Sequence, residues 1–161
     1  MENRIETLRN FIENILFSTA EDVLPRFRYM SHMSSVSQFC ALIALKRGEN
    51  VELATMAGLL HDFYTLKTLD AKNHAENGAV LAKEVLDELQ ITTSDEINTI
   101  CSAIHNHSSK GGSHSAFDEV LIDADVMQHC LFNFTAPIAE HEKARFKNLA
   151  KEFALTLPQY A

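Results

Sequence analysis

The chain has 161 residues, one ordinary domain, long enough to bury about two thirds of its unfolded surface. Five glycines and three prolines argue against a turn-rich β architecture, and a formal net charge of −8 opposes a broad interface with a nucleic-acid polymer. No stretch approaches the ~18 consecutive apolar residues of a membrane span.

The start, Met1-Glu2-Asn3-Arg4, lacks a basic segment followed by an apolar core, so no export signal is expected. Cys40, Cys101 and Cys130 are separated and show no C-x-x-C spacing. They fit reduced, buried thiols, and the sequence predicts a soluble, cytoplasmic protein.

Apolar spacing is helical nearly throughout. Ile5, Leu8, Phe11, Ile12, Ile15 and Leu16 predict an amphipathic first helix that packs on the core. Pro25 is expected to mark a break. Val36, Phe39, Cys40 and Ile43 form the next stripe, with His32 one turn before Val36 on the same face. Residues 51–63 are apolar almost all round, which predicts a central buried helix ending in His61 and Asp62. Asn73 with Glu76 reads as a capping box opening a helix that carries His74, Gly78, Leu81 and Val85 on one face; Thr93 with Glu96 repeats the device before Ile97, Ile100, Cys101 and Ile104. Ser108 to Ser115 is the clearest loop. Val120, Ala124, Met127 and Leu131 begin another helix, and a last one is expected over 137–157. The reading is a single all-α domain, 1–161, of about seven or eight helices.

His61-Asp62 is the most informative pair, because an Asp beside apolar neighbours is costly unless it is paired or coordinates a cation. His32, His61 and His74 fall on core-facing stripes of three helices, and His107 follows Ile104 by one turn on a fourth. Imidazoles converging from several helices, with carboxylates, are what a metal site in a bundle requires. His105 is an alternative to His107. Asp123 is an alternative to Asp125, and helical phase alone places it slightly nearer the apolar stripe. His114, His129 and His141 read as surface residues.

The order His32, His61-Asp62, His74, His107 and Asp125 resembles the HD-domain superfamily of metal-dependent phosphohydrolases, over roughly Arg28 to His129. The central signature is Ala57-Gly58-Leu59-Leu60-His61-Asp62; Ala103-Ile104-His105-Asn106-His107 and Asp123-Ala124-Asp125 are similar to two further family motifs. The resemblance implies an HD-type helical bundle flanked by N- and C-terminal packing helices. It also implies a first metal held by His32, His61, Asp62 and Asp125, and a second recruited by His74 and His107. Two departures stand out: Phe63-Tyr64 replaces the small residues that often follow the His-Asp pair, implying a bulkier pocket wall, and the interval from Asp62 to His74 is short.

Imidazole nitrogen with carboxylate oxygen suits one or two divalent transition ions: iron, manganese, nickel, cobalt or zinc. The expected activity is hydrolysis of a small phosphate ester, a nucleotide foremost, by metal-activated water. With two ions a bridging hydroxide is the expected nucleophile, and with one Asp62 or a nearby free carboxylate would orient the water; Arg28 and Lys110 are the cations placed to meet phosphate, and Lys67 and Lys72 follow the His-Asp motif. A diiron oxygenase of the same superfamily and a non-catalytic, metal-containing, ligand-binding HD domain are the alternatives. The sequence leaves oligomeric state open.

Overall fold

Residues with apolar side chains at three- and four-residue spacing form helices in the computed structural model, which describes residues 3–18, 23–133 and 135–156. In chain order these are α1 (Arg4–Ser18), α2 (Val23–Arg47), α3 (Val51–Leu60), α4 (Phe63–Thr68), α5 (His74–Leu89), α6 (Ser94–Asn106), α7 (Ala116–Phe132) and α8 (Glu140–Glu152). No strand occurs among the described residues, and none of the helices is long and apolar enough to cross a membrane. The all-α reading holds.

Helix α3 starts where the Asn50 side chain accepts from the Leu53 N–H, and α6 where Thr93 and Glu96 form a reciprocal capping box. Ser115 caps α7 by accepting from the Asp118 N–H. Leu8, Ile12 and Leu16 of α1 are fully or almost fully buried, each stabilising the fold by about 1.5–3 kcal/mol. Arg4 fixes that helix from the other side. Its guanidinium donates to both oxygens of Glu52, to Glu96 and to the Ile91 carbonyl, tying α1 to the starts of α3 and α6.

Four boundaries differ from the sequence expectation. Pro25 lies in the first turn of α2 rather than outside it, where its missing N–H costs nothing. The buried helix over 51–63 breaks at His61-Asp62, and α4 starts anew at Phe63. Asn73 makes no side-chain cap; its backbone is left-handed, φ 50°, closing a tight turn that also has Leu69 at φ 58°. The last helix spans Glu140–Glu152, and the expected end at Leu157 lies outside the described residues.

Candidate metal centre

The centre sits where α2, α3, α5, α6 and α7 meet. Gly58 permits the approach of α3 to α2, since a Cβ there would lie 2.6 Å from the Ser37 Cα. His61, three residues on, thereby reaches His32. Gly78 does the same for α5, where a Cβ would stand 3.2 Å from the His61 carbonyl oxygen. The two left-handed residues at 69 and 73 reverse the chain within a short loop, so the brief interval after Asp62 is long enough to return His74 to it. Phe63 does not line the site. It is buried and its ring packs 6.2 Å from that of Phe11, so its bulk goes into the core, while Tyr64 is half-buried beside Gly78.

All four histidines are held in one tautomer. The Nδ1–H of His61 donates to the Gly58 carbonyl at 2.8 Å, that of His107 to Ile104 at 2.6 Å, that of His74 to Ala71 at 3.1 Å, and that of His32 to Gln128 Oε1 at 2.8 Å. In the neutral ring every Nε2 then carries a lone pair directed into the centre, as ligation requires. These nitrogens face one another in pairs: His32 and His61 at 3.1 Å, His74 and His107 at 3.1 Å. Two acceptors at that distance repel unless a proton or cation stands between them.

Asp62 serves both pairs. Its Oδ2 lies 3.6 Å from the Nε2 of His32 and of His61, and its Oδ1 lies 3.7 Å from His74 and 3.8 Å from His107. Asp125 Oδ1 stands 3.4 Å from His32 Nε2. Asp62 Oδ1 and Asp125 Oδ1 are buried with no hydrogen-bond partner. An orphaned buried carboxylate oxygen is expensive, and both orphans lie at the histidine nitrogens. Ligand atoms of His32, His61 and Asp62, those of Asp62, His74 and His107, and those of His32, Asp125 and His129 form three groups, each within 4.8 Å. Four imidazoles and two carboxylates fit divalent transition metal at this position.

The electrostatics agree. Burial alone would raise the Asp125 pKa, but the adjacent His32 and the charges around it, Lys110 among them, hold it well below the usual carboxylate range. Burial would likewise lower His32, and Asp125 outweighs it, so the imidazole is raised. Burial pushes His61 down and His107 down to about 4. The centre thus favours positive charge between carboxylates and keeps its two most buried imidazoles neutral.

Lys110 supports the centre from behind, and Asp123 is engaged elsewhere. Lys110 Nζ lies 2.9 Å from Asp125 Oδ2 and 2.5 Å from the buried Glu142 of α8, so its charge is compensated by two carboxylates. Asp123 turns away to Arg47 and Arg145, each at 2.7 Å. His105 is exposed, whereas His107 is buried. Arg28 is exposed on α2, one turn before His32, and makes no ion pair among the described residues. Lys67 and Lys72 are exposed; His114 and His141 stay apart from the centre, His114 bonding the Ser109 carbonyl.

Two neighbours escaped the sequence reading. His129, taken as a surface residue, stacks on His32 with centroids 5.4 Å apart; its Nε2 lies 3.3 Å from Asp125 Oδ1 and its Nδ1 2.9 Å from Glu142. The four-residue spacing from Asp125 on one helix was the available signal. Ser108 Oγ stands 3.1 Å from His74 Nε2; nothing in a Ser-rich loop distinguishes it.

A crystal structure of a predicted HD superfamily hydrolase from an uncultured Thermotogales bacterium shares the fold, with a TM-score of 0.59 and 21% identity over 90% of this chain and 88% of that one. No curated protein matches. The family model described as HD domain matches residues 29–130, which contain all the converging histidines and carboxylates. That match spans well over half of the sequence, and the chain belongs to the HD domain family.

Proposed function

We propose that this protein is a metal-dependent phosphohydrolase that cleaves a small phosphate ester, with nucleotides as the substrate class. The observation that carries the reading is the division of one carboxylate. Asp62 offers Oδ2 to the His32–His61 pair and Oδ1 to the His74–His107 pair, with Asp125 completing the first set. In this reading His32, His61, Asp62 and Asp125 hold one divalent ion, and His74 and His107 share Asp62 with a second. Iron, manganese, cobalt, nickel or zinc suit the donors. Such ions supply Lewis acidity and an acidified water to phosphoryl transfer.

The chain's own residues bind and orient. Arg28 is a cation one turn before His32 with no ion pair among the described residues, placed to meet a phosphoryl oxygen. Lys110 holds Asp125 from behind, through Oδ2, and leaves Oδ1 directed at the histidines. Three free cysteines accord with a reducing, cytoplasmic location.

A phosphate-ester panel assayed with Mn²⁺, Fe²⁺, Co²⁺ or Ni²⁺ tests the proposal. Turnover should persist without oxygen, disappear with a chelator and be lost in Asp62→Asn. Product formation only in the presence of oxygen would assign the site to oxygenase chemistry instead. Metal binding without turnover of any ester would point to a ligand-binding domain.

A further inference from the structure

Beside His32 lies a cleft that the proposed metal chemistry does not use. Phe27, Arg28, Ser31 and His32 of α2 and Gln128 and Phe132 of α7 enclose about 410 Å³, within the range of small-molecule sites. Its walls are two phenylalanines that the fold leaves open, Phe27 at 59% and Phe132 at 80% exposure. Large aromatic side chains so exposed gain little for folding, and lining one cleft they suit a planar apolar guest.

The polar groups in the same cleft are few and unspent. Gln128 gives its Oε1 to the His32 Nδ1–H, and no described residue accepts from its amide hydrogens. Arg28 carries a charge with no ion-pair partner among the described residues, and Ser31 a hydroxyl. His32 is common to the cleft and to the metal centre, so a molecule whose phosphate reaches that centre extends its other end here. Phe27, Arg28 and Phe132 lie outside residues 29–130, so this wall belongs to the chain's own flanks and not to the segment matched by the family model.

We infer that the Phe27–Phe132 cleft is a subsite for a planar aromatic group on the phosphorylated substrate, held between the two rings and hydrogen-bonded by Gln128. The inference rests on the proposed phosphate chemistry for what anchors the other end. It selects aromatic esters over hydroxyl-rich sugar phosphates, because the walls offer stacking and few hydrogen-bond partners.

The test uses two phosphonates that cannot be hydrolysed, 1-naphthylmethylphosphonate and methylphosphonate, titrated calorimetrically into metal-loaded full-length protein. The naphthyl compound should bind at least tenfold more tightly, since stacking on exposed aromatics is a strong, sequence-tolerant contact. In Phe27→Ala/Phe132→Ala the two affinities should come within about twofold, with metal content and melting temperature unchanged, since neither ring supports the core. Leu45→Ala, which removes an exposed side chain at the far end of α2, should keep the preference. Equal affinities in the unmodified protein, or a preference that survives in the double variant, overturn the subsite. Self-association that vanishes in the double variant while both phosphonates bind equally throughout assigns the face to a second copy and also overturns it. A preserved preference in a protein that hydrolyses no ester sustains the subsite and strikes only the proposed activity.

Discussion

His32 and His61 hold their Nε2 atoms 3.1 Å apart, although in both neutral rings the proton is drawn to Nδ1 by an acceptor, Gln128 Oε1 for His32 and the Gly58 carbonyl for His61. Helix packing enforces this repulsive contact: Gly58 brings α3 onto α2, and the Gly58 carbonyl then locks the His61 ring. The unpartnered oxygens of Asp62 and Asp125 lie at the same point. A cation answers all of these costs together, which is why the constellation is read as a binding site and not as a polar core.

Asp62 is the shared member, so its loss should be more damaging than that of any one histidine. Asp62→Asn is expected to abolish both metal equivalents, and His61→Ala at least the one held with His32, while far-ultraviolet circular dichroism stays largely helical. Elemental analysis of protein purified without chelator measures this. Full metal content in both variants would sink the assignment. Some loss of thermal stability accompanies either change, because binding free energy is linked to folding.

The two acids of α7 separate function from stability. Asp125→Asn should cost most of the metal affinity. Asp123→Asn should leave metal binding nearly intact but destabilise the fold by about 1–3 kcal/mol, since Arg47 and Arg145 each lose a buried charged partner. Urea denaturation and metal titration of the two variants decide it. A metal-depleted Asp123→Asn beside a fully loaded Asp125→Asn would reverse the roles.

Much of this was legible in the sequence, and the failures have physical causes. Stripes such as Leu8, Ile12 and Leu16 report burial directly, and the Thr93–Glu96 box depends only on local spacing. Asn73 and Glu76 have the same spacing but no cap forms, because the turn after Leu69 forces Asn73 into the left-handed region. That turn is set by docking, which no local pattern records. His129 went unseen for a related reason. Nearly half of its side chain is exposed, and its partner Glu142 comes from α8 and is visible only in three dimensions.

Gly58 offers a test of packing as the source of site geometry. In Gly58→Ala the new methyl would sit 2.6 Å from the Ser37 Cα and 2.9 Å from its nitrogen, backbone atoms that cannot rotate away. Overpacking of this kind costs about 1–3 kcal/mol. The displacement of α3 should also carry His61 off its partner and weaken metal binding. Gly111→Ala, with nothing within 4 Å, is the control and should change neither quantity. Unaltered melting temperature in Gly58→Ala would refute the close approach.

Acid should destabilise the metal-free protein well before its carboxylates titrate. Burial, with the nearby His61 adding to it, holds folded His107 down to about 4, against 6.5 when unfolded, and burial lowers His61 as well. A depressed imidazole binds fewer protons when folded. Its effect is therefore nil above pH 6.5 and grows as pH falls from 6.5 towards 4, reaching about 3 kcal/mol for His107 at 1.36 kcal/mol per pH unit. Chelator-treated protein should lose stability between pH 7.5 and 5 in urea titrations, and His107→Gln should lose less. His32, raised by Asp125, acts with the opposite sign, so the measure is the difference between the two proteins: an equal pH dependence in His107→Gln and the unmodified protein would contradict the burial argument.

Nuclearity is the sharpest remaining question, and the two faces of Asp62 make it answerable. His74 and His107 meet at Asp62 Oδ1, while His32 and His61 meet at Oδ2, so the two donor sets share one residue and no nitrogen. Removing His74 and His107 together should eliminate one equivalent and spare the other, because His32, His61, Asp62 Oδ2 and Asp125 remain in place. Activity should fall steeply, since two-metal phosphoryl transfer relies on both ions to stabilise attacking and leaving oxygens. Ser108, 3.1 Å from His74 Nε2, provides a milder probe: Ser108→Ala should perturb the same equivalent without removing it. Titration of the unmodified protein should show two equivalents and that of the His74→Ala/His107→Ala variant one. A single equivalent in both would make the centre mononuclear and reduce His74 and His107 to pocket walls, with their facing nitrogens then bridged by a proton or by the Ser108 hydroxyl.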